Sequence, residues 1–306
     1  MTLLDRVPSL KRRIVDAHHH FWDPQRNYHP WLCDPEPIVF RYGDYSSLRR
    51  PYLAHDYKDD ARHFTIDGSV YIETEWDPND LAAETRYVAE VRSCGLPSVA
   101  VMAARLHEPD VERLLASHAE HDFVRGIRHK PRANPSPRDA SPGGMTDTQW
   151  RRGYALLRDN DFSFDLQTPW WHMGEAADLA SAVADIPMIV NHAGLPADRS
   201  EEGLAAWKQA MTRVAACENV AIKISGIGRP GHPWTPQANR RIVLTLIELF
   251  GVSRCMFASN FPVDSLCGSF DDIFSGFEAI TADFTEAERD ALFRSNALRI
   301  YRIPPA

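Results

Sequence analysis

No C-x-x-C pair occurs anywhere in this chain of 306 residues, and its five cysteines (Cys33, Cys94, Cys217, Cys255, Cys267) are scattered. An odd, unclustered set excludes a disulfide framework and a zinc ribbon and points to a reducing compartment. Long apolar runs are missing as well. None approaches the roughly 20 residues that cross a bilayer, and the opening "MTLLDRVPSLKRR" has Asp5 where a leader needs apolar residues. The expectation is a cytoplasmic protein with no membrane partner. Positive charge is also short: 34 Lys and Arg against 42 Asp and Glu leave a formal net charge of -8. The basic runs "LKRRI" and "GIRHKPR" are too small for the footprint that a nucleic acid requires. Nor does a Gly-rich loop follow the first strand pattern, which argues against a dinucleotide site.

What remains is an ordinary globular composition, 44% hydrophobic and 25% charged. β-rich runs alternate with amphipathic segments along almost the whole length: "RIVDAHHH", "DGSVYIE", "SVAVMAA", "FVRGIRH", "FSFDLQ", "MIVNHAG", "VAIKISG" and "CMFASN". Between them "DLAAETRYVAEVRSCG", "DVERLLASHAEH", "GLAAWKQAMTRVAACEN" and others repeat apolar residues at helical spacing. Gly95 and Gly251 stand where C-terminal caps belong, and Thr285 with Glu288 reads as a capping box. Eight strands each followed by helical sequence predict an α/β fold, a (β/α)₈ TIM-type barrel in a single domain over 1–306. An open doubly wound sheet is the competitor, since alternation does not prove closure. Residues 21–65 break the rhythm with Trp, Tyr, Pro and charge. A long insertion after the first strand lies over the C-terminal face of a barrel and is expected to cover an active site.

Strand parity selects the candidate site. In "IVDAHHHFWDP", alternation puts Asp16, His18 and His20 on one face and His19 on the other. Two histidines at i and i+2 at the end of a barrel strand can grip one divalent ion; hydrogen-bonded polar residues without metal are the plainer alternative. His192, ending the sixth strand, is the economical third ligand. On the fourth strand Arg128 is expected to face inward, suited to a substrate carboxylate, with His129 beside it. Lys223 faces the barrel opposite Ile222 and Ile224 and needs an anion, either substrate or a neighbouring carboxylate, of which Glu73 is the nearest candidate unless it is itself a metal ligand. Gln167 ends the fifth strand, and Trp171 in "TPWWHM" lines a ligand wall or packs the rim. A hydrolytic barrel needs a carboxylate at the eighth strand end to take a proton from water. Asn260 stands there instead, and Asp264 follows beyond Pro262, where strand parity no longer sets direction.

These segments together resemble the amidohydrolase superfamily, and within it the amidohydrolase-2 branch of fuconolactonase-like and pyrone-dicarboxylate lactonase-like hydrolases. The resemblance runs in order from "VDAHHHFWDP" through "GIRHK", "IVNHAGLP", "VAIKISGIG" and "MFASNFPVD" to "LFRSNALRIYRI". It implies a distorted barrel with its site at the C-terminal mouth. His18 and His20 match the family's H-x-H, and His192 its sixth-strand histidine. The fifth-strand histidine of the wider superfamily is replaced by "FDLQT", as in this branch. The family's G-S-D-[WF]-P reads "ASNFP" here, so the general-base role does not transfer to residue 260; a subgroup with S-N-F-P-V-D makes Asp264 the carboxylate. The resemblance implies a divalent ion, zinc by its ligands, although the branch includes members that work without one.

The expected activity is a metal-assisted lactonase opening a small carboxylated or sugar-acid lactone, with Asp264 as base and Arg128 and Lys223 on substrate oxygens. Decarboxylation of an aromatic or muconate-type acid on the same barrel is the second reading. A metabolite-binding barrel silenced by the amide at 260 is the third. The partner in each case is a small molecule, and a homodimer would be the common arrangement.

Overall fold

Each apolar run becomes a parallel strand in the computed structural model, which describes residues 11–304. The strands are β1 (Arg13–His19), β2 (Thr65–Ile72), β3 (Val99–Ala103), β4 (Val124–His129), β5 (Ser163–Leu166), β6 (Met188–Val190), β7 (Val220–Ile224) and β8 (Cys255–Phe257). They pair in sequence order as one eight-stranded parallel sheet. The sheet closes at a seam just beyond β8: Asn260 N–H donates to His18 O and His20 N–H to Phe261 O, both at 2.8 Å. That closure selects the barrel over the open sheet, and it sets the H-x-H strand against residue 260.

Two short helices, α1 (Pro30–Cys33) and α2 (Ala54–Asp60), lie in the insertion. The outer layer is α3 (Leu81–Val91), α4 (Val111–Ala119), α5 (Thr148–Ala155), α6 (Met173–Ala182), α7 (Glu201–Ala215), α8 (Pro236–Phe250) and α9 (Phe270–Ile280). Gly95 and Gly251 end helical segments at φ 87° and 72°, where a side chain would be strained. Thr285 and Glu288 form the expected capping box at the start of α10 (Glu286–Asp290), whose continuation leads into α11 (Asn296–Ile300). No helix among the described residues is long and apolar enough to cross a membrane; most of the opening stretch read for a leader lies outside them.

Alternation sorts the strand residues into two layers. Ile127, Phe164, Leu166, Ile222 and Ile224 pack outward into the main core with the helices. Val15, Ala17, Val70, Val101, Ile189 and Met256 form a smaller inner cluster, closed from below by Tyr301 and Ile303 of the C-terminal segment. Strand parity fails on β1. The β1–β2 register slips between Asp16 and His19, as a bulge does, so Asp16 does not share the face of His18. Its carboxylate accepts from Tyr57 OH (3.0 Å) in α2 and from Ser259 Oγ (2.6 Å).

Candidate active site

The mouth of the barrel is floored by imidazoles. His18 lies with its ring centroid 4.9 Å from His20 and 4.5 Å from His192, while His19 turns outward against Phe21 and Tyr57. Burial holds His18 and His192 well below the ordinary histidine range, helped by Lys223 at His18 and Arg41 at His192. His20 is pushed down to about 3 by burial and then by Arg128. All three rings are therefore neutral near pH 7. His20 Nδ1 is bonded to Ile72 O at 2.8 Å and its ring also hydrogen-bonds the Asn260 side chain, while His192 Nδ1 is bonded to Ser225 Oγ at 3.0 Å, which leaves His192 Nε2 for a ligand. His18 is fully buried and neither of its nitrogens has a partner.

That orphaned pair of nitrogens tests the expected metal. Among the described residues no three His, Cys, Asp or Glu side chains already stand as a ligand set. In donor type the floor suits a divalent ion: neutral imidazoles, with a second nitrogen held by a carbonyl or hydroxyl, are what zinc sites use. The fit is one of chemistry and depth.

Above the floor is a hollow of about 240 Å³ bordered by His20, His192, Arg128, Gln167 and Asn260. The insertion supplies Trp22, Trp31, Phe40 and Arg41 to its wall; parity arguments did not reach these, because they lie outside any strand. Three bordering residues hold left-handed backbone: Glu75 at φ 56°, His192 at 53° and Asn260 at 57°. Such strain in non-glycine residues collects where a fold aims side chains at a ligand.

Arg128 faces inward as its parity requires. Its Nε donates to Glu73 Oε1 at 2.5 Å, Nη2 to Glu73 O at 2.6 Å and Nη1 to Gln167 Oε1 at 3.2 Å. Burial pushes the Glu73 carboxyl up, and Arg128 and Lys130 more than offset it, holding the group ionised below its ordinary range. An arginine has five N–H donors, so two remain for a substrate oxygen. Lys130, missed from the sequence, pairs with Glu75.

Lys223 departs from expectation. It is fully buried, and its Nζ lies 2.6 Å from Asp165 Oδ1, not against Glu73. Asp165 also accepts from Tyr301 OH (3.0 Å) and Asn191 Nδ2 (2.8 Å). Within a closed barrel, inward side chains meet those two strands away, so β5 partners β7 just as β2 partners β4. Lys223 therefore does not border the hollow. Asp165 shares parity with Gln167, and that was the signal available for it. Trp171 packs the rim, donating to Asn134 O at 3.1 Å. His129 faces away from the histidine floor, its Nδ1 accepting from Trp150 Nε1 at 2.9 Å.

At the eighth strand, Asn260 borders the hollow and Asp264 stands directly behind it. Asn260 Nδ2 donates to Asp264 Oδ1 at 2.5 Å, Tyr42 OH donates to the same oxygen at 3.0 Å, and Arg41 lies 3.6 Å away. Burial raises the Asp264 pKa above the ordinary carboxylate range against these donors. One amide side chain separates this carboxylate from the cavity.

A second buried acid lies behind the β2 end. Glu84 accepts from Tyr71 OH, Thr74 N and Thr74 Oγ1 at 2.7–2.8 Å, and burial, then Glu73, push it up to about 7 from 4.5. Between those values the folded chain keeps a proton that the unfolded chain has lost, so stability falls as pH rises through that window. Urea titrations of Glu84→Gln should show a shallower decline between pH 5 and 7 than wild type; parallel slopes would place the proton elsewhere.

The amidohydrolase family profile matches residues 15–303. The chain is 37% identical over 295 residues to an uncharacterized protein, y4mH, of Sinorhizobium fredii, covering 95% of this chain and 98% of that one. It is 26% identical over 309 residues to an L-fucono-1,5-lactonase of Burkholderia multivorans, covering 95% and 96%. A crystal structure of an amidohydrolase from Burkholderia multivorans with bound zinc has the same fold, with a TM-score of 0.77 at 24% identity over 95% of this chain and 99% of that chain.

Proposed function

The chain belongs to the amidohydrolase family, and on that premise we propose that this hydrolase is a lactonase, opening the ring of a small sugar-acid or carboxylated lactone. The observation that carries the reading is the convergence of three neutral histidines, a half-satisfied Arg128 and the Asn260–Asp264 pair on one hollow. Similarity to a sugar-acid lactonase along almost the whole chain supports it.

His18, His20 and His192 would hold a divalent ion, zinc by ligand type, whose charge would polarise the lactone carbonyl. The two remaining N–H groups of Arg128 bind a carboxylate or hydroxyl oxygen of the substrate, and Glu73 with Gln167 fixes their direction. Asp264 takes the proton of the attacking water. Asn260 shields it in the resting site and must turn aside for contact; burial raises the carboxyl pKa, which strengthens it as a base. The insertion covers the hollow through Trp22, Trp31, Phe40 and Arg41 and limits access of bulk water.

The test is a pH-indicator assay of sugar-acid 1,5- and γ-lactones and 2-pyrone-4,6-dicarboxylate, with and without chelator. Acid release from at least one lactone is expected, falling after chelation and returning with zinc. Release of carbon dioxide from an aromatic acid with no lactone turnover would replace this reading by decarboxylation.

A further inference from the structure

The catalytic hollow does not end at Arg128. A second hollow of about 500 Å³ shares Trp31, Ile38, Glu75 and Arg128 with the first, so the two form one trough running outward over the ends of β2, β3 and β4. Trp31, Ile38 and Trp76 lie on its apolar side; Arg105, His107 and His129 line its polar side, with the Arg128–Glu73 and Lys130–Glu75 pairs at the end shared with the first hollow. Its volume is within the usual range of a small-molecule site, roughly 300–1,000 Å³, and its lining joins aromatic surface to charged and imidazole groups.

The polar groups have a defined state. His129 Nδ1 receives two donors, Leu106 N–H at 3.2 Å and Trp150 Nε1–H at 2.9 Å. A nitrogen that accepts from two donors carries no proton, so the ring is the neutral Nε2–H tautomer, and Nε2–H is the donor left for a ligand oxygen. Burial, with His107 and Arg105 nearby, keeps the ring neutral by lowering its pKa to about 4. On the catalytic side Arg128 is paired with Glu73, with two N–H groups left over the first hollow, and Lys130 is paired with Glu75. Arg105 is exposed, and no carboxylate among the described residues pairs with it.

We propose that the second hollow is a subsite for the distal part of the substrate: an apolar, ring-sized group ending in a carboxylate, seated on Trp31 and Trp76 and held by Arg105 and His129 Nε2–H. The substrate is then a lactone with an anionic side arm, larger than a lone sugar-acid ring. The lactone end of this inference rests on the lactonase reading; the subsite itself does not.

Two measurements separate them. In calorimetry, 3-phenylpropanoate should bind the full-length protein, its neutral amide should bind more weakly, and Arg105→Met should weaken the acid by at least about tenfold, the value of a hydrogen bond to a charged group. Equal binding of acid and amide, or an unchanged acid affinity in the variant, overturns the subsite whether or not any lactone is hydrolysed. In the turnover assay, a lactone carrying a phenylpropanoate arm should be preferred over the plain lactone by kcat/KM. Arg105→Met should cut that ratio by about tenfold, and an unaltered ratio counts against the subsite. If neither lactone turns over, the lactonase reading fails, and the calorimetry still decides the subsite.

Discussion

Asp264→Asn is expected to lower kcat by about 10²–10⁴-fold, the contribution of a positioned general base, while the protein stays folded. The replacement is isosteric, and its amide oxygen still accepts from Asn260 Nδ2 and Tyr42 OH, which now reach Asp264 Oδ1 at 2.5 and 3.0 Å. What disappears is the proton acceptor. The informative partner is Asn260→Gly. Residue 260 sits at φ 57°, which glycine adopts without cost, so the variant removes the shielding amide and relieves strain together. Turnover should survive within about tenfold of wild type, a far smaller loss than a missing base causes. The pH–rate profile adds an independent check. A base must be ionised, so activity falls as pH drops through the Asp264 pKa, which burial holds above the ordinary carboxylate range. That acid limb should vanish from the residual activity of Asp264→Asn. If Asn260→Gly is dead and Asp264→Asn is active with an unchanged limb, the chemistry belongs to the amide.

Asp165→Asn should cost about 3–5 kcal/mol of stability, the usual effect of stranding one charge of a buried pair. Lys223 and Asp165 are both fully buried, and burial already lowers the Lys223 pKa to about 8 against the pull of Asp165. Without the carboxylate, the ammonium loses its counter-charge at the centre of the barrel. Lys223→Met should be damaging in the same way, because Asp165 would keep only the donors Tyr301 and Asn191. Removing both charges, as in Lys223→Met with Asp165→Leu, should recover part of the loss, since apolar replacements of buried pairs are often tolerated. Guanidinium unfolding of the four proteins measures the two losses and how much of them the apolar pair recovers. If either single variant unfolds like wild type while losing substrate affinity, Lys223 binds substrate after all and its burial is misleading.

Most of the fold was legible because it rests on local patterns. Alternation in "VAIKISG" and "MIVNHAG" marks strands, and their inner and outer faces sort as parity requires, with Ile222 and Ile224 toward the helices. Gly95, Gly251 and the Thr285–Glu288 box mark helix ends through backbone freedom and side-chain reach. The site was legible in part for the same reason: His18, His20, Arg128 and Gln167 lie at strand ends, where parity predicts direction, and they do border or floor the hollow. Parity failed at Asp16, because a bulge inserts a residue that no propensity announces.

By itself the sequence determined the eight β/α units, the polar residues at their strand ends, and the amide at 260. Each is set by residues near one another in the chain, through period-2 and period-3.6 patterning and capping chemistry. Only the tertiary structure decided who partners whom. Closure put Glu73 on Arg128 and Asp165 on Lys223, and brought Trp31 and Arg41 of the insertion to the wall beside Asn260. Those contacts join residues tens to hundreds of positions apart, and their geometry follows from the curvature of a closed sheet.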